Sequence, residues 1–275
     1  MREEDTLFSG NLLKGKRGLI MGVANDKSIA WGIALAAHAQ GAKIAYTYQG
    51  EALKKRILPL AEKTSSDIVL ECDVTNEASI EEVFKQLEQK WGSIDFLVHS
   101  IAFSQKEELK GRYVDTSLEN FLNTMHISCY SFTSVVRRAE KLMTNGGSFI
   151  TMSYYGAHKV MPHYNVMGLA KSALETSVKY LAVDLGKSNI RINAISAGPI
   201  KTLAASGIGD FKYILKWSEY NSPLKRTVTT NEVGNAATFL LSDMSSGTTG
   251  QIFYVDGGYN VVGMKAIDAP DIATV

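Results

Sequence analysis

The sequence predicts one α/β domain over residues 1–275, a doubly wound, Rossmann-type fold with about seven parallel strands and helices on both faces of the sheet. Short apolar, β-branched runs alternate with longer segments of helical periodicity. This alternation favours right-handed crossovers between parallel strands. A hydrophobic fraction of 45% provides ample material for a core. Linkers, internal repeats and low-complexity tracts do not interrupt the pattern, so we expect a single domain.

The elements follow from composition and periodicity. The strand-like runs occupy residues 17–23, 43–48, 68–74, 94–100, 148–153, 190–196 and 251–257. Helical patterns lie between them, near residues 29–40, 51–63, 76–90, 117–143, 163–186 and 231–241. Gly41 is the predicted C-terminal cap of the first helix. Asn76 and Ser117 are the predicted N-terminal caps of the third and fourth helices.

Two segments depart from this alternation. Residues 198–230 are rich in Gly, Ser and Thr and are too long for a simple connection, which predicts a loop that covers the substrate. The alternative is a surface excursion without order. Residues 263–275 carry no motif, and we expect them to form a loose tail.

Composition and charge exclude several classes of protein. The net charge of +1 gives no broad electrostatic attraction to nucleic acid or to an anionic membrane. Cys72 and Cys129 have no metal-like spacing, and we expect no metal site. No apolar run has the length of a signal peptide or of a membrane span. The sequence therefore predicts a cytoplasmic protein with reduced thiols.

The first strand leads into a turn that suits a phosphate group. Gly22 stands where a tight turn must begin, and Ser28 is a plausible N-cap whose side chain can also reach a ligand. Ala30 and Gly32 keep the helix face small, so the helix can lie close to the sheet. The free N–H groups at the helix start would receive a pyrophosphate. Because the motif is not G-x-G-x-x-G, an ordinary strand–turn–helix stays open.

The end of the second strand bears on the choice of cofactor. An acidic residue there usually binds the ribose of NAD, while Arg accommodates the phosphate of NADP. Gln49 carries no charge, which favours NADH. Lys54, Lys55 and Arg56 follow on the next helix and are either phosphate ligands or a solvated basic face.

Tyr164 and Lys171 are the candidate catalytic pair. Seven residues of α-helix turn about 700° and rise about 10 Å, so the two side chains share a face two turns apart. Taken singly, such residues are commonly a core tyrosine and a solvated lysine. The segment HSIAF (99–103) ends the fourth strand, at the ligand-binding edge of the sheet. His158 and His163 flank the pair, and we assign them no catalytic role.

Four motifs carry a resemblance to a known family. They are GVANDKSIAWGIA (22–34), HSIAF (99–103), SYYGAHKVMPHYNVMGLAK (153–171) and RINAISAGPIKTLAASGIGDF (191–211). From about residue 9 to about residue 262, the chain resembles the bacterial enoyl-[acyl-carrier-protein] reductases of the FabI type, which belong to the short-chain dehydrogenase/reductase superfamily. The resemblance implies NADH-dependent reduction of a trans-2-enoyl thioester, acyl carrier protein as partner, and a homotetramer.

The resemblance also assigns residues. Tyr154 and Tyr164 match the active-site tyrosines of the family, and Lys171 matches its lysine. The implied cofactor contacts are Gly22, Ser28, Ile29, Gln49, Asp73, Val74, Ile101, Lys171, Ile200, Lys201, Thr202, Leu203 and Ala204. Ser104, Tyr154 and Tyr164 face the substrate. The family often has Gly at the position of Ala102 and Ala at that of Ser104, so the acyl pocket differs in detail.

The implied chemistry is hydride addition at C3 of a conjugated thioester, which places negative charge on the thioester oxygen. We assign to Tyr164 the hydrogen bond that stabilises this enolate, and to Lys171 the ribose hydroxyls and a nearby positive charge. Tyr154 shapes the same pocket. A carbonyl reductase and a non-catalytic dinucleotide sensor are the alternatives, and the wide Tyr–Lys spacing and the intact pair argue against them.

The loop that covers the substrate is also the predicted docking region. We expect its apolar side chains to cover the acyl chain, and they are Leu203, Ile208, Phe211, Ile214 and Leu215. Lys201, Lys212 and Lys216 give its neighbourhood a positive charge that suits an acidic carrier protein.

Overall fold

A parallel sheet of seven strands forms the centre of the computed structural model, which describes residues 7–271. Its strands are β1 (Arg17–Met21), β2 (Lys43–Tyr48), β3 (Val69–Glu71), β4 (Phe96–His99), β5 (Gly147–Ser153), β6 (Ile190–Ala197) and β7 (Ile252–Val255). Their order is β3-β2-β1-β4-β5-β6-β7, and every neighbouring pair is parallel. The strand order reverses between β1 and β4, where open α/β sheets bind ligands at the carboxyl edge. The predicted fold class is confirmed.

Helices cover both faces of the sheet. They are α1 (Ile29–Ala39), α2 (Gly50–Lys63), α3 (Glu77–Trp91), α4 (Lys106–Lys110), α5 (Leu118–Met125), α6 (Ser131–Ala139), α7 (Asn165–Leu185), α8 (Phe211–Asn221) and α9 (Thr230–Leu241). A π-helical turn, His126–Tyr130, joins α5 to α6. Within residues 7–271, no helix is both long and apolar enough to cross a membrane.

The predicted helix caps are confirmed. Gly41 follows α1 with φ of 90°, a left-handed conformation that costs glycine little. The side chain of Asn76 accepts hydrogen bonds from the N–H groups of Ala78 and Ser79 at the start of α3. The Ser117 hydroxyl accepts one from Asn120 at the start of α5. These contacts are local, which is why the sequence predicts them.

Each strand contributes to two apolar layers. Leu19 of β1 and Phe149 of β5 face the layer beneath α3, α6 and α7. Ile20 and Ile150, their neighbours in sequence, face the layer beneath α1, α2 and α9. Because both faces of the parallel sheet are covered, its strands are apolar throughout rather than alternating. The two layers hold the carboxyl edge in a fixed position.

The small residues of α1 serve a helix–helix contact, so our expectation for Gly32 was wrong. A Cβ atom on Gly32 would lie 2.5 Å from the carbonyl oxygen of Thr230. A Cβ atom on Gly234 would lie 2.5 Å from the carbonyl oxygen of Gly32. Glycines on both helices therefore let α1 and α9 pack backbone against backbone.

The region 198–230 contains more regular structure than its composition predicts. Helix α8 lies within it, and Ile214, Ser218 and Asn221 form its buried face. The Gly and Ser content of residues 198–210 obscured this helical periodicity. Part of the predicted tail packs against the same region, since Lys225 Nζ lies 2.7 Å from Asp268 Oδ1. Residues 272–275 lie outside the described residues, and the looseness of the tail stays a prediction.

Candidate active site

The turn after β1 lies against the end of β4. A Cβ atom on Gly22 would approach the carbonyl oxygen of Ser100 to 2.0 Å, and the φ of Gly22 is 97°. Only glycine fits both conditions. Ser28 occupies the N-cap position of α1, but its hydroxyl does not cap the helix. It accepts hydrogen bonds from the N–H groups of Ala24 and Asn25, at 3.0 and 3.1 Å, and so holds the turn itself.

Gln49 and Asp73 meet at the ends of β2 and β3. Burial alone would raise the pKa of the Asp73 carboxyl, but hydrogen bonds from the Thr75 hydroxyl and N–H and from the Gln49 side chain lower it overall. Val74, the next predicted contact, is buried in the core. The edge therefore offers an amide and a carboxylate side by side, both of which can bind hydroxyl groups.

Of the three basic residues that follow Gln49, Lys54 already has partners. Lys54 Nζ lies 3.1 Å from Glu51 Oε1 and 5.8 Å from the centre of the Tyr48 ring. Its charge is thus already directed to a carboxylate and an aromatic face. Lys55 and Arg56 are exposed on α2.

Tyr154 and Tyr164 are in contact at the end of β5. Their ring centroids are 5.1 Å apart in an edge-to-face arrangement. Burial raises the pKa of the Tyr164 phenol well above its usual range, and the neighbouring Tyr154 and Glu175 raise it further. Burial also raises the pKa of Tyr154. Both phenols stay protonated at neutral pH, so each can donate a hydrogen bond.

Tyr164 lies just before α7. The predicted helix 163–186 placed it inside the helix, and that boundary was wrong. The helix begins at Asn165. His163 and Asn165 both adopt positive φ, 56° and 37°, so the backbone turns sharply on either side of the tyrosine. The Asn165 side chain donates a hydrogen bond to the carbonyl oxygen of Gly111, at 2.8 Å. Tyr164 is therefore held by a turn that helical periodicity alone does not reveal.

Lys171 is buried in the second turn of α7. Its ammonium donates to the carbonyl oxygen of Met152 at 2.8 Å. Burial lowers the pKa of Lys171 to about 8, against the opposing effect of Cys129 and Glu175. The side chain is therefore mostly charged at neutral pH. The structure brings Tyr154 and Tyr164 into contact and bonds Lys171 to Met152, two residues before Tyr154, while the roles of the three residues stay a prediction.

The HSIAF segment begins at a buried histidine. Nε2 of His99 lies 2.9 Å from the Ser131 hydroxyl, and Nδ1 lies 3.2 Å from the Thr151 hydroxyl. The Ser131 hydroxyl donates to the carbonyl oxygen of Ile127, and the Thr151 hydroxyl donates to the carbonyl oxygen of His99 itself. Burial, and secondly the charge of Lys171, lower the pKa of His99 to about 3. His99 is therefore neutral at physiological pH.

One face of α5 and the π-helical turn fastens the rest of this segment. Ser128 Oγ accepts from the N–H of Phe103 at 3.0 Å. Thr124 Oγ1 donates to Ser104 Oγ at 2.9 Å, and the Asn120 side chain also bonds to that hydroxyl. The hydroxyl of Ser104 is thus directed to α5, whereas we predicted this residue on the substrate side. Its role toward substrate stays a prediction.

The remaining predicted contacts lie at the same carboxyl edge. Ile29 and Ile200 pack partly buried against one core layer, and Ile101 packs against the other. Thr202 is half-buried, and its hydroxyl accepts from the N–H of Ala205 at 3.1 Å. Three residues of this stretch are exposed, namely Lys201, Leu203 and Ala204. The segment after β6 is therefore available to a ligand at the sheet edge.

Sequence reasoning missed Gly156. A Cβ atom there would lie 2.4 Å from Cδ1 of Tyr164 and 3.2 Å from Cδ1 of Tyr154. The missing side chain makes room for both rings. The only signal in the sequence is a glycine directly after two tyrosines, which does not specify what fills the space.

Comparison with known proteins agrees with this geometry. A sequence model of the family described as Enoyl-(Acyl carrier protein) reductase matches residues 22–260. Enoyl-[acyl-carrier-protein] reductase [NADH] 1 of Rhizobium meliloti (strain 1021) is 65% identical over 267 residues, which are 97% of this chain and 98% of that protein. The enoyl-[acyl-carrier-protein] reductase [NADH] FabI of Rickettsia felis is 59% identical over 256 residues, 93% of this chain and 98% of that protein.

A solved structure agrees equally well. The enoyl-(acyl-carrier-protein) reductase from Anaplasma phagocytophilum, crystallised in complex with NAD, has a TM-score of 0.92 and 61% identity to this chain. The match covers 97% of this chain and 100% of that one. At these identities and coverages, the likeness includes the sequence over nearly the whole chain as well as the fold. The chain belongs to the enoyl-(acyl carrier protein) reductase family.

Proposed function

We propose that this protein catalyses the NADH-dependent reduction of the trans-2 double bond of enoyl-[acyl-carrier-protein] thioesters, the last reductive step of type II fatty-acid elongation. The relatives named above carry this activity in their names. The observation that carries the proposal is the contact of Tyr154 with Tyr164, beside a buried Lys171, at the carboxyl edge of the sheet.

The residues at this edge fit a dinucleotide. The Gly22 turn brings the start of α1, with its N–H groups, to the edge where a pyrophosphate would be bound. Gln49 and Asp73 can bond ribose hydroxyls. The Lys171 ammonium carries three protons, one of which goes to Met152, so it can also serve hydroxyl groups. We propose these residues as the NADH site.

Tyr164 acts on the substrate oxygen. Bound NADH supplies the hydride that is added to C3, and charge then develops on the thioester oxygen. The raised pKa of Tyr164 keeps the phenol a donor throughout, and a fixed donor stabilises the enolate more than the uncharged substrate. Lys171 holds the cofactor ribose and contributes positive charge. Tyr154 packs against Tyr164 and fixes its ring.

The segment 198–230 is proposed to cover the substrate. Ile208 already packs against the apolar cluster that contains Tyr164 and Met167. Asp210, at the start of α8, lies 3.0 Å from Nε2 of His163, the residue before Tyr164. The covering segment is thus attached directly to the catalytic turn. Its apolar side chains would exclude water from the enolate.

Acyl carrier protein is the partner that the substrate implies, and we propose that it docks near Lys201, Lys212 and Lys216. Charge reversal at Lys201 or Lys216 should impair turnover of the carrier-bound substrate more than turnover of a short thioester analogue. Lys187→Glu is the control, because Lys187 is exposed at the opposite edge of the sheet. Equal effects on the turnover of both substrates would refute the proposed docking site.

We further propose a homotetramer in the cytoplasm. Leu118 and Leu122 of α5 and Tyr180 and Val183 of α7 are exposed apolar side chains on neighbouring helices. Apolar surface of this kind suits contact between copies of one chain. Light scattering of the purified protein tests the subunit count, and a monomer at micromolar concentration would contradict it.

Turnover tests the function itself. The purified protein should oxidise NADH when a crotonyl or longer 2-enoyl thioester is added, and should leave a ketone of similar size largely unreduced. Reduction of the ketone but not of the thioester would favour a carbonyl reductase. Tight NADH binding without turnover of any acyl thioester would favour a dinucleotide sensor.

A further inference from the structure

Glu175 is a buried carboxylate that the reaction above does not use. It lies on α7, one turn after Lys171, and its side chain is only 4% exposed. Burying a carboxylate is costly unless partners compensate it, and an apolar residue of similar size is often no less stable. The contacts of Glu175 next to the proposed active site indicate what the buried carboxylate does.

Both oxygens of Glu175 hold the segment that carries Tyr154. The Ser153 hydroxyl, at the end of β5, donates to Oε1 at 2.5 Å. Nε2 of His158 lies 2.6 Å from Oε2. The two partners stand on either side of Tyr154 in the sequence. Glu175 therefore fixes this segment against α7 at both of its ends.

Two further contacts from α7 reach the same segment. Lys171 donates to the carbonyl oxygen of Met152, next to Ser153. The Ser172 hydroxyl donates to the carbonyl oxygen of Ala157, next to His158. Helix α7, which begins beside Tyr164, thus holds the end of β5 and the residues that follow it. Among these α7 side chains, Glu175 alone contacts both ends of the Tyr154 segment.

Glu175 also acts electrostatically on the catalytic groups. Its titratable neighbours are Lys171 of α7, Tyr164 just before α7, His158 in the loop after β5, and Tyr254 of β7. Lys171 in turn faces Cys129 of the π-helical turn and His99 of β4. Among these groups, Glu175 and Cys129 raise the pKa of Lys171, against the effect of burial.

We propose that Glu175 is a positioning residue of the reductase reaction, which holds the Tyr154 segment against α7 and places a carboxylate one helical turn from Lys171. The inference rests on the proposed function, because it needs Tyr154, Tyr164 and Lys171 in the roles given above. Glu175 touches neither reactant in this account. It acts through the groups that do.

Glu175→Gln tests the proposal, with the free protein, NADH and a crotonyl thioester. The amide keeps the volume and a hydrogen-bonding oxygen but loses the charge. Without the carboxylate, the pKa of Lys171 should be lower. As the pH is raised, NADH affinity should therefore begin to fall at a lower pH in the variant than in the wild type. Misplacement of the Tyr154 segment should lower kcat by up to about 100-fold.

Asp184→Asn is the matched control, since it removes the same charge from an exposed position on the same helix. It should leave both the pH profile and kcat at the wild-type values. Should Glu175→Gln fail to fold, His158→Gln and His158→Leu replace it. The first keeps a donor to Oε2 and should retain most of the activity, and the second should lose it.

The outcomes separate this proposal from the function. Absence of wild-type turnover on any enoyl thioester counts against the proposed function. With an active wild type, the proposal is overturned if Glu175→Gln matches Asp184→Asn in kcat and in the pH dependence of NADH affinity. For the second pair of variants, equal kcat of His158→Gln and His158→Leu overturns it.

Discussion

At the scale of single residues, burial drives both proposed catalytic side chains, Tyr164 and Lys171, toward their neutral forms, with different consequences. For Tyr164 the neutral form is the hydrogen-bond donor, so burial favours the active state. For Lys171 the proposed role needs the charged form, and burial lowers its pKa to about 8 against the opposing effect of Cys129 and Glu175. The two residues therefore place opposite demands on one buried site.

Gly156 is predicted to be irreplaceable even by alanine. The added methyl group would lie 2.4 Å from the Tyr164 ring, so one or both tyrosines must move. Overpacking of this kind typically costs about 1–3 kcal/mol, and we expect kcat for an enoyl thioester to fall at least about tenfold. Gly186→Ala is the control, because no atom lies within 4 Å of a Cβ there. Unchanged kcat in Gly156→Ala would show that the tyrosine contact is not required.

Gln49 is predicted to set the preference for NADH. It offers no charge to a 2′-phosphate, and Lys54 is already paired with Glu51. A hydrogen bond to a charged group contributes about 1.5–3 kcal/mol, which corresponds to a preference of roughly 10- to 150-fold in kcat/KM. Steady-state kinetics with both cofactors measure it, and Gln49→Arg should reduce the preference. A clear preference of the wild type for NADPH would refute this assignment.

At the scale of elements, the α5–π–α6 helix is a polar clamp on the end of β4. Its buried side chains bond to the last residue of β4 and to the loop that follows it, and they are Asn120, Thr124, Ser128 and Ser131. The π-helical turn lies within this row. Such turns are frequent at functional sites. The helix thereby fixes the HSIAF segment relative to Lys171.

Because His99 is buried and neutral beneath this helix, we predict that the folded protein loses stability in acid. His99 is neutral when folded, with a pKa of about 3, whereas an unfolded histidine takes up a proton near pH 6.5. Below pH 6.5 the unfolded state therefore binds more protons, and stability is lost as the pH falls toward 3. At about 1.4 kcal/mol per pH unit, this group accounts for several kcal/mol. Urea unfolding at a series of pH values should show a shallower loss for His99→Gln, and parallel curves would contradict the assignment.

The covering segment is predicted to change its mobility with ligand. It contacts the active site through Ile208 and through the exposed pair Asp210–His163, and exposed pairs contribute at most about 1 kcal/mol. Hydrogen exchange in residues 198–221 should be fast in the free protein and slow with NADH and a substrate analogue. Strand β5 serves as the reference in the same experiment. Equal protection of residues 198–221 in both states would refute a covering role.

At the scale of the whole molecule, the sequence predicted what local rules determine. Strand runs, helix periods and caps such as Asn76 depend on neighbours in the chain, and they were confirmed. The role of Gly32 was misjudged because the α1–α9 contact joins residues about 200 positions apart. The space at Gly156 and the partners of Glu175 arise from the same kind of distant contact. The motifs point to the candidate site residues, whose roles stay a prediction, but they do not reveal the distant side chains that support those residues.

The division of labour between Tyr164 and Lys171 is the central claim, and Tyr164→Phe tests it most directly. The measurement is kcat for a crotonyl thioester together with the Kd of NADH for the same variant. Removing the enolate donor should lower kcat by about 100- to 1,000-fold and leave the NADH Kd nearly unchanged, while Lys171→Ala should weaken NADH binding as well. Loss of NADH binding in Tyr164→Phe, or unaltered binding in Lys171→Ala, would contradict the account.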